Sequence, residues 1–152
     1  MQARIQELLS QFHVLTLACR DEQGSWAAAV FFAHEGLDLY FMSSPASRHA
    51  RSLAFDSRLA GAIHGAAQDW RSIVGLQVSG RVDVLGAAEA AIARTAYESR
   101  FPFVAGPDGQ ADAALAKALQ KAGWYRLRIA RAVLVDNTRG LGQRMTWARP
   151  GA

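Results

Sequence analysis

The chain has 152 residues, 51% hydrophobic and 20% charged, with a formal net charge of +4. That balance excludes a disordered or fibrous chain and leaves room for a real hydrophobic core in one domain of ordinary size. No apolar run approaches the ~20 residues that cross a bilayer, and the single cysteine, Cys19, excludes an intrachain disulfide and fits a reducing cytoplasm.

Residues 2–12 predict a helix with Ile5, Leu8, Leu9 and Phe12 on one side, without the continuous apolar core of a secretory signal. An apolar strand pattern follows at 13–20, where Cys19 reads as core filler rather than nucleophile. Asp21-Glu22-Gln23-Gly24 is a turn, 26–33 a second strand, His34-Glu35-Gly36 a second turn, and 37–42 a third strand. These three strands predict a β-meander with short loops. The third runs into Ser43 and Ser44, breaks at Pro45 and restarts as Ser47-Arg48-His49 at the head of a short helix over 48–56. The residue before a proline avoids the helical region, and serine is a favoured N-cap, so the helix starts at Ser47. Ala50, Leu53 and Ala54 face inward.

A fourth strand occupies 59–64, followed by a polar loop over 65–70. Val74, Leu76, Val78, Val82 and Val84 then alternate with Gly75, Gln77, Ser79, Arg81 and Asp83. This predicts a long strand with one buried face, in which Gly80 marks a bulge or sharp bend. Helical composition takes over at 87–99, with Ile92, Ala96 and Tyr97 on the buried side, until Phe101-Pro102-Phe103 stops it. Gly106-Pro107-Asp108-Gly109 is a loop, and 111–122 a second helix with Leu115, Ala118, Leu119 and Ala122 in register, ended by Gly123. A strand returns over 124–135, with Tyr125, Leu127 and Ile129 on one face and Arg126 and Arg128 on the other; 136–140 turns, and 145–147 is a last short strand. The sum is a mainly β chain with α insertions, a single domain over 1–152 with a helical insert at about 87–122, its antiparallel strands closing into a small barrel.

The chemistry narrows by exclusion. His13, His34, His49 and His64 are scattered without metal-ligand spacing, and there is no G-x-S-x-G elbow and no P-loop. Gly140-Leu141-Gly142 is too short for a dinucleotide fingerprint. Arg126, Arg128, Arg131, Arg139, Arg144 and Arg149 stand against Asp136 alone in the last segment. A solvated arginine face accounts for most of them; a nucleic-acid binder is disfavoured because no recognised reading module accompanies the charge. What remains is an anion cradle. Ser43, Ser44 and Ser47 bring hydroxyls, the helix start brings amides without intrahelical partners, and Arg48 brings a planar fork suited to phosphate. The competing structural reading is a plain N-cap beside a solvated arginine. Ala27, Ala28 and Ala29 either leave room for a flat ring or pack against a helix.

The strand order, together with Ser47-Arg48-His49-Ala50, Arg100-Phe101-Pro102, and Asp136-Asn137-Thr138 with Gly140, Gly142, Met145 and Trp147, resembles the FMN-binding split-barrel superfamily. That superfamily includes the pyridoxamine 5′-phosphate oxidases, and the three motifs look like those of a small bacterial subgroup. The resemblance covers 11–85 and the returning strand at 124–135, and it implies a six-stranded antiparallel split β-barrel of the FMN-binding type. It implies that Ser43, Ser44, Ser47, Arg48 and His49, with Met42 beside them, hold the FMN phosphate and ribityl chain. It implies that the backbone of Ala28, Ala29, Val30 and Phe31 runs beside the isoalloxazine ring, with Gly75 and Gln77 on its other side. It further implies a homodimer with FMN in the groove between subunits, and residues near Trp147 reaching in from the partner chain. Related barrels bind haem or a deazaflavin instead. The implied activity is flavin-dependent oxidoreduction of an unknown small substrate; a non-catalytic flavin-binding or sensing module is the alternative. The chain departs from the oxidases at 26–32, which carry no basic residue. A second phosphate has no counter-charge there, so pyridoxamine 5′-phosphate oxidation is not expected.

Overall fold

The computed structural model describes residues 1–104 and 112–151. The expected loop at Gly106–Gly109 and the expected start of the second insert helix at Ala111 lie outside the described residues. In chain order the elements are α1 (Gln2–Gln11), β1 (Val14–Asp21), β2 (Gly24–Phe31), β3 (Ala33–Glu35), β4 (Asp38–Ser43), α2 (Arg48–Phe55), β5 (Arg58–His64), β6 (Val74–Val84), α3 (Ala87–Arg100), α4 (Ala113–Lys121), β7 (Gly123–Asp136) and β8 (Arg144–Ala148). The strands form one curled antiparallel sheet in the order β2-β1-β5-β6-β7-β4-β3, with β8 also paired to β7. This is the split-barrel fold, with eight strands rather than six because β3 and β8 are short additions.

The meander expectation is corrected. β1 and β2 form a hairpin around Gly24, whose φ of +110° suits glycine, but β4 pairs with β7 and β3, not with β2. His34 and Glu35 are strand residues, and only Gly36, at φ +59°, makes the turn. β2 and β4 face each other across the split without hydrogen-bonding.

Curvature comes from the longest pairing, β6 with β7. The register slips between Ser79, opposite Arg131, and Gly80, opposite Ile129, leaving Ala130 as the extra residue of a β-bulge. The inward face of β7 therefore changes parity, from Tyr125, Leu127 and Ile129 to Ala132, Leu134 and Asp136. The bulged carbonyl is not orphaned: the backbone N–H of Arg149 donates to Ala130 O at 2.8 Å, and Arg149 Nε donates to Ile129 O at 2.8 Å. A Cβ on Gly80 would fall onto the Arg128 carbonyl oxygen, so this position admits no side chain. Val84, at the end of β6, is 69% exposed and leaves the buried row.

The core fills the curl with Leu15, Leu17, Leu39, Phe41, Ile63, Leu76, Leu127 and Ile129, and α1 closes one end through Ile5, Leu8 and Leu9. Cys19 belongs to this core, and burial pushes its thiol up. α3 lies over β3, β4 and β7 through Ala93 and Tyr97; Ile92, expected inward, faces solvent. Of the expected face of α4, Leu119 packs against the Tyr97–Phe101 cluster while Ala118 is exposed. Asp136 and Asn137 tie the β7–β8 turn down. Asn137 Nδ2 donates to Trp70 O at 2.8 Å, its Oδ1 accepts from Gly142 N at 3.1 Å, and Asp136 Oδ1 accepts the Thr138 hydroxyl at 2.5 Å. The motif at 136–138 is thus a structural knot between two loops.

Gly80→Ala is expected to destabilise the protein by roughly 2–3 kcal/mol, since backbone cannot yield as a side chain can. Gly86→Ala, in open space at the N-cap of α3, is expected to cost no more than about 1 kcal/mol. Urea unfolding midpoints for the two variants check this.

Candidate functional site

Where β4 ends and α2 begins, three side chains meet. Ser43 Oγ lies 2.5 Å from His49 Nε2 and 3.2 Å from Ser47 Oγ, and Ser47 Oγ lies 3.3 Å from the same imidazole nitrogen. The local sequence explains the meeting. Pro45 keeps the chain out of the helical region, and Ser47, extended at ψ 152°, caps α2 by accepting from Ala50 N–H at 3.3 Å. The first amides of α2 point past this cap with no intrahelical acceptor. Burial lowers the pKa of His49. Ser44 does not join the cluster: its Oγ accepts from Ala46 N–H at 3.2 Å and its carbonyl from Ser47 N–H at 2.9 Å, so it shapes the turn.

Arg48 points elsewhere. Its Nε donates to Asp21 Oδ2 at 3.3 Å, and its guanidinium stands 4.4 Å from the centre of the Trp26 ring. That cation–π contact is worth about 0.5–1 kcal/mol. Asp21 also accepts the hydroxyl of the fully buried Ser52 at 2.8 Å and the backbone N–H of Gln23 at 2.9 Å. The Ser52 hydroxyl, and then Arg48, hold the Asp21 carboxyl below its usual range. One carboxylate therefore pins α2 to the β1–β2 turn. The hollow of about 210 Å³ on this side is lined by Asp21, Glu22, Gln23, Arg48, Arg51 and Phe55, and neither Ser43, Ser47 nor His49 lines it. Sequence reading missed Asp21, Ser52 and Trp26; a turn aspartate and a mid-helix serine carry no signal until the fold brings them together.

β2 is the terminal strand of the sheet, so among the described residues one of its edges has no strand partner. Pairing with β1 sets its faces. Ala28 and Val30 sit opposite Leu17 and Leu15 and pack partly on the core. Ala29 and Phe31 point outward, opposite Thr16 and Val14. Phe31, 46% exposed, leans on Phe101 and Phe103 with ring centres 5.3 and 5.7 Å away. Three expected residues lie apart from this groove. Met42 packs with Tyr97, Phe101 and Trp124 on the far side of β4. Gly75, buried, pairs with His64 and Val135, and exposed Gln77 pairs with Ala62 and Val133. β1 and β5 stand between β2 and β6, a separation of about 14 Å at ordinary strand spacing. Trp147, on β8, packs partly against the core.

Among the described residues, three of the six late arginines are paired with carboxylates. Arg126 and Arg128 reach Asp83 at 3.1 and 2.8 Å, Arg126 also meets Glu89 at 3.0 Å, and Arg149 meets Asp38 at 2.6 Å. They brace the sheet, and Arg126 departs from the expected solvated face, since its side chain is largely buried between Asp83 and Glu89. At the α2 start the donor set is hydroxyl, imidazole and helix amide, which is the chemistry that receives a phosphate monoester. Arg48 is the adjacent cation, already shared with Asp21.

A family model described as pyridoxamine 5′-phosphate oxidase matches residues 1–135. The UPF0306 protein YhbP of Escherichia fergusonii is 29% identical over 147 residues, which cover 95% of this chain and 91% of that protein. Among solved structures, a heme binding protein from Mycobacterium smegmatis superposes with a TM-score of 0.74 at 24% identity over 97% of this chain. This chain covers only 56% of that longer protein. A FAD-binding protein from Mesorhizobium loti superposes with a TM-score of 0.68 at 17% identity, covering 87% of this chain and 91% of its own. Both likenesses are of fold.

Because the Asp21 pKa is depressed in the folded state, its ion pair contributes stability above the unfolded value near 4, and that contribution fades as pH falls through the folded value. Asp21→Asn is expected to lower the unfolding midpoint at pH 7, with the gap to the parent narrowing in acid; paired denaturation curves across that range measure it.

Proposed function

The chain belongs to the pyridoxamine 5′-phosphate oxidase family, and from that premise we propose that it binds FMN as a homodimer and serves flavin redox chemistry on a small organic substrate. The observation that carries the reading is the meeting of Ser43, Ser47 and His49 at the first amides of α2, beside the open edge of β2. Ser43 and Ser47 offer hydroxyls to the phosphate. His49, neutral when empty because burial opposes its charge, takes a proton as the dianion arrives. Ser44 holds the turn that presents them. Arg48 would reach the phosphate by turning its fork from Asp21 and Trp26.

The unpaired backbone edge along Ala28, Ala29, Val30 and Phe31 offers N–H and C=O groups to the rim of the ring, and its small side chains permit close approach. Gly75 and Gln77 lie too far from this edge to serve the same flavin, so in the homodimer they serve the one held mainly by the other subunit. Met42 acts from behind β4 as support. FMN, once bound, supplies hydride and single-electron transfer; the protein's part is to bind, orient and limit water. The absence of any basic residue over 26–32 argues against a second phosphate on the substrate and favours a neutral or singly charged molecule. The same absence suits a flavin-binding module that does not turn over, and reduction by a nicotinamide nucleotide under nitrogen separates the two. The fold's haem-binding and FAD-binding neighbours make haem and other flavins the competing ligands.

Titrating FMN into the purified protein is expected to shift the flavin absorption bands and quench the emission with micromolar affinity. Ser47→Ala is expected to weaken binding about tenfold, the scale of one lost hydrogen bond to a charged group. A flat titration rejects the reading, and a Soret band on adding haem replaces it with a haem site.

A further inference from the structure

At the opposite end of α1 from the chain start, one guanidinium does unusual work. A single terminal nitrogen of Arg100 donates to three carbonyls, Leu9 O at 2.7 Å, Ser10 O at 3.1 Å and Phe12 O at 2.6 Å. These are the carbonyls that the end of a helix leaves without partners, and a cation there also suits the helix dipole. The ring centres of Phe32 and Phe101 lie 4.9 and 5.7 Å from the guanidinium carbon. Among the described residues no carboxylate lies within ion-pair distance of Arg100, and its Nε and second terminal nitrogen have no protein acceptor. A half-buried cation thus keeps spare donors and no counter-charge.

The same guanidinium lines a cavity of about 220 Å³ with Ser10, Ala33, His34, Ala96 and Ser99. Among the described residues no acidic one lines it. At about 30 Å³ per water the space suits a handful of waters or one small polyatomic group. Its hydrogen-bond arithmetic is one-sided. The Ser10 hydroxyl donates to Gln6 O at 3.0 Å, so toward His34 Nε2, 3.0 Å away, it can only accept. His34 Nδ1 faces the Gly36 carbonyl, another acceptor, at 3.2 Å. With the Ser10 hydroxyl on Gln6 O both ring nitrogens face acceptors, which suits the doubly protonated imidazole; with the hydroxyl turned to Nε2 the neutral Nδ1–H ring satisfies both contacts. Burial, and then the charge on Arg100, push the other way and lower the His34 pKa. The charged and titratable groups around the ring are Arg100 from α3 and, on its own strand, Glu35, whose carboxylate is turned to the Tyr40 hydroxyl at 3.4 Å; α1 presents only Ser10. A negative charge in the cavity would compensate Arg100 and favour the protonated ring.

We propose that this cavity between α1, β3 and α3 binds a small oxyanion, the phosphate or carboxylate group of a ligand, held by Arg100, the Ser99 hydroxyl and the Ser10 hydroxyl turned from Gln6 O, with protonated His34 donating to Ser10 behind it. The site shares no lining residue with the cluster at the start of α2 and does not depend on the flavin reading. Occupancy fastens α1 to α3 through β3. It also draws a proton onto His34, so binding strengthens as pH falls through the ordinary histidine range.

The test uses the full chain. Thermal unfolding and calorimetry are followed with inorganic phosphate, sulfate and acetate, against chloride at matched ionic strength, and the His34 ring proton is followed by NMR. The expected result is a saturable rise in unfolding temperature with a shift of the His34 signal, stronger at pH 6 than at pH 8. Saturation by phosphate and sulfate identifies a tetrahedral anion, saturation by acetate a carboxylate. Ser99→Asp, which tethers a carboxylate at the cavity wall, is expected to weaken the anion response at least about tenfold. Ser47→Ala is expected to leave the His34 response unchanged, which separates this site from the one at α2. If Ser99→Asp does not fold, Ser10→Ala takes its place with the same expected loss. A response no larger than that to chloride, an unmoved His34 signal, or equal responses in the parent and the cavity variant overturns the proposal.

Discussion

The close passage of Gly80 across the Arg128 carbonyl is the constraint on which the rest of the molecule hangs. It lets β7 carry one residue more than β6, and that extra residue both curls the sheet and exchanges the faces of β7 halfway along its length. One half of β7 then lines the barrel with β4, and the other half with β8. Arg149 completes the arrangement from the end of β8, bonding the two carbonyls that the bulge frees and holding Asp38 at the start of β4. Without the curl β4 would not lie across from β2, and the start of α2 would not face an open strand edge.

Much of this was legible in the sequence, for identifiable reasons. The alternation over 74–84 and its interruption at Gly80 announced both the strand and the bulge, because the side-chain period of two is a strong local signal. Ser47 announced the start of α2, since N-cap chemistry is local. What failed was non-local. Nothing between residues 26 and 42 tells β4 to pair with β7, more than eighty residues away, in place of β2 nearby. Ile92 and Val84 are apolar and exposed because periodicity shows which residues share a face but not how far the cover extends.

The candidate site divides the same way. The serines and His49 come together because a strand end, a proline and a cap lie within seven residues of one another. Arg48 belongs to a different circuit, in which Asp21 gathers Ser52, Arg48 and the β1–β2 turn. Sequence spacing placed Arg48 beside the serines; side-chain direction on the helix turned its fork toward the β1–β2 hairpin, where the Asp21 carboxylate and the Trp26 indole receive it. The arginines of 124–149 followed a similar course: read as charge they suggest a polyanion surface, and placed on the sheet several of them are braces.

The bare edge of β2 has a consequence for the life of the chain before it reaches its final state. From Trp26 to Phe31 the strand contains no charge, no proline and no glycine, and it ends the sheet with its hydrogen-bonding groups open. Such a ribbon templates stacking of like on like, the geometry of amyloid and of domain exchange. The nearest gatekeepers are Asp21 and Glu22 before it and Glu35 after it, too far along the chain to interrupt pairing at its centre. Nascent or partly unfolded copies therefore carry an aggregation hazard at this open strand.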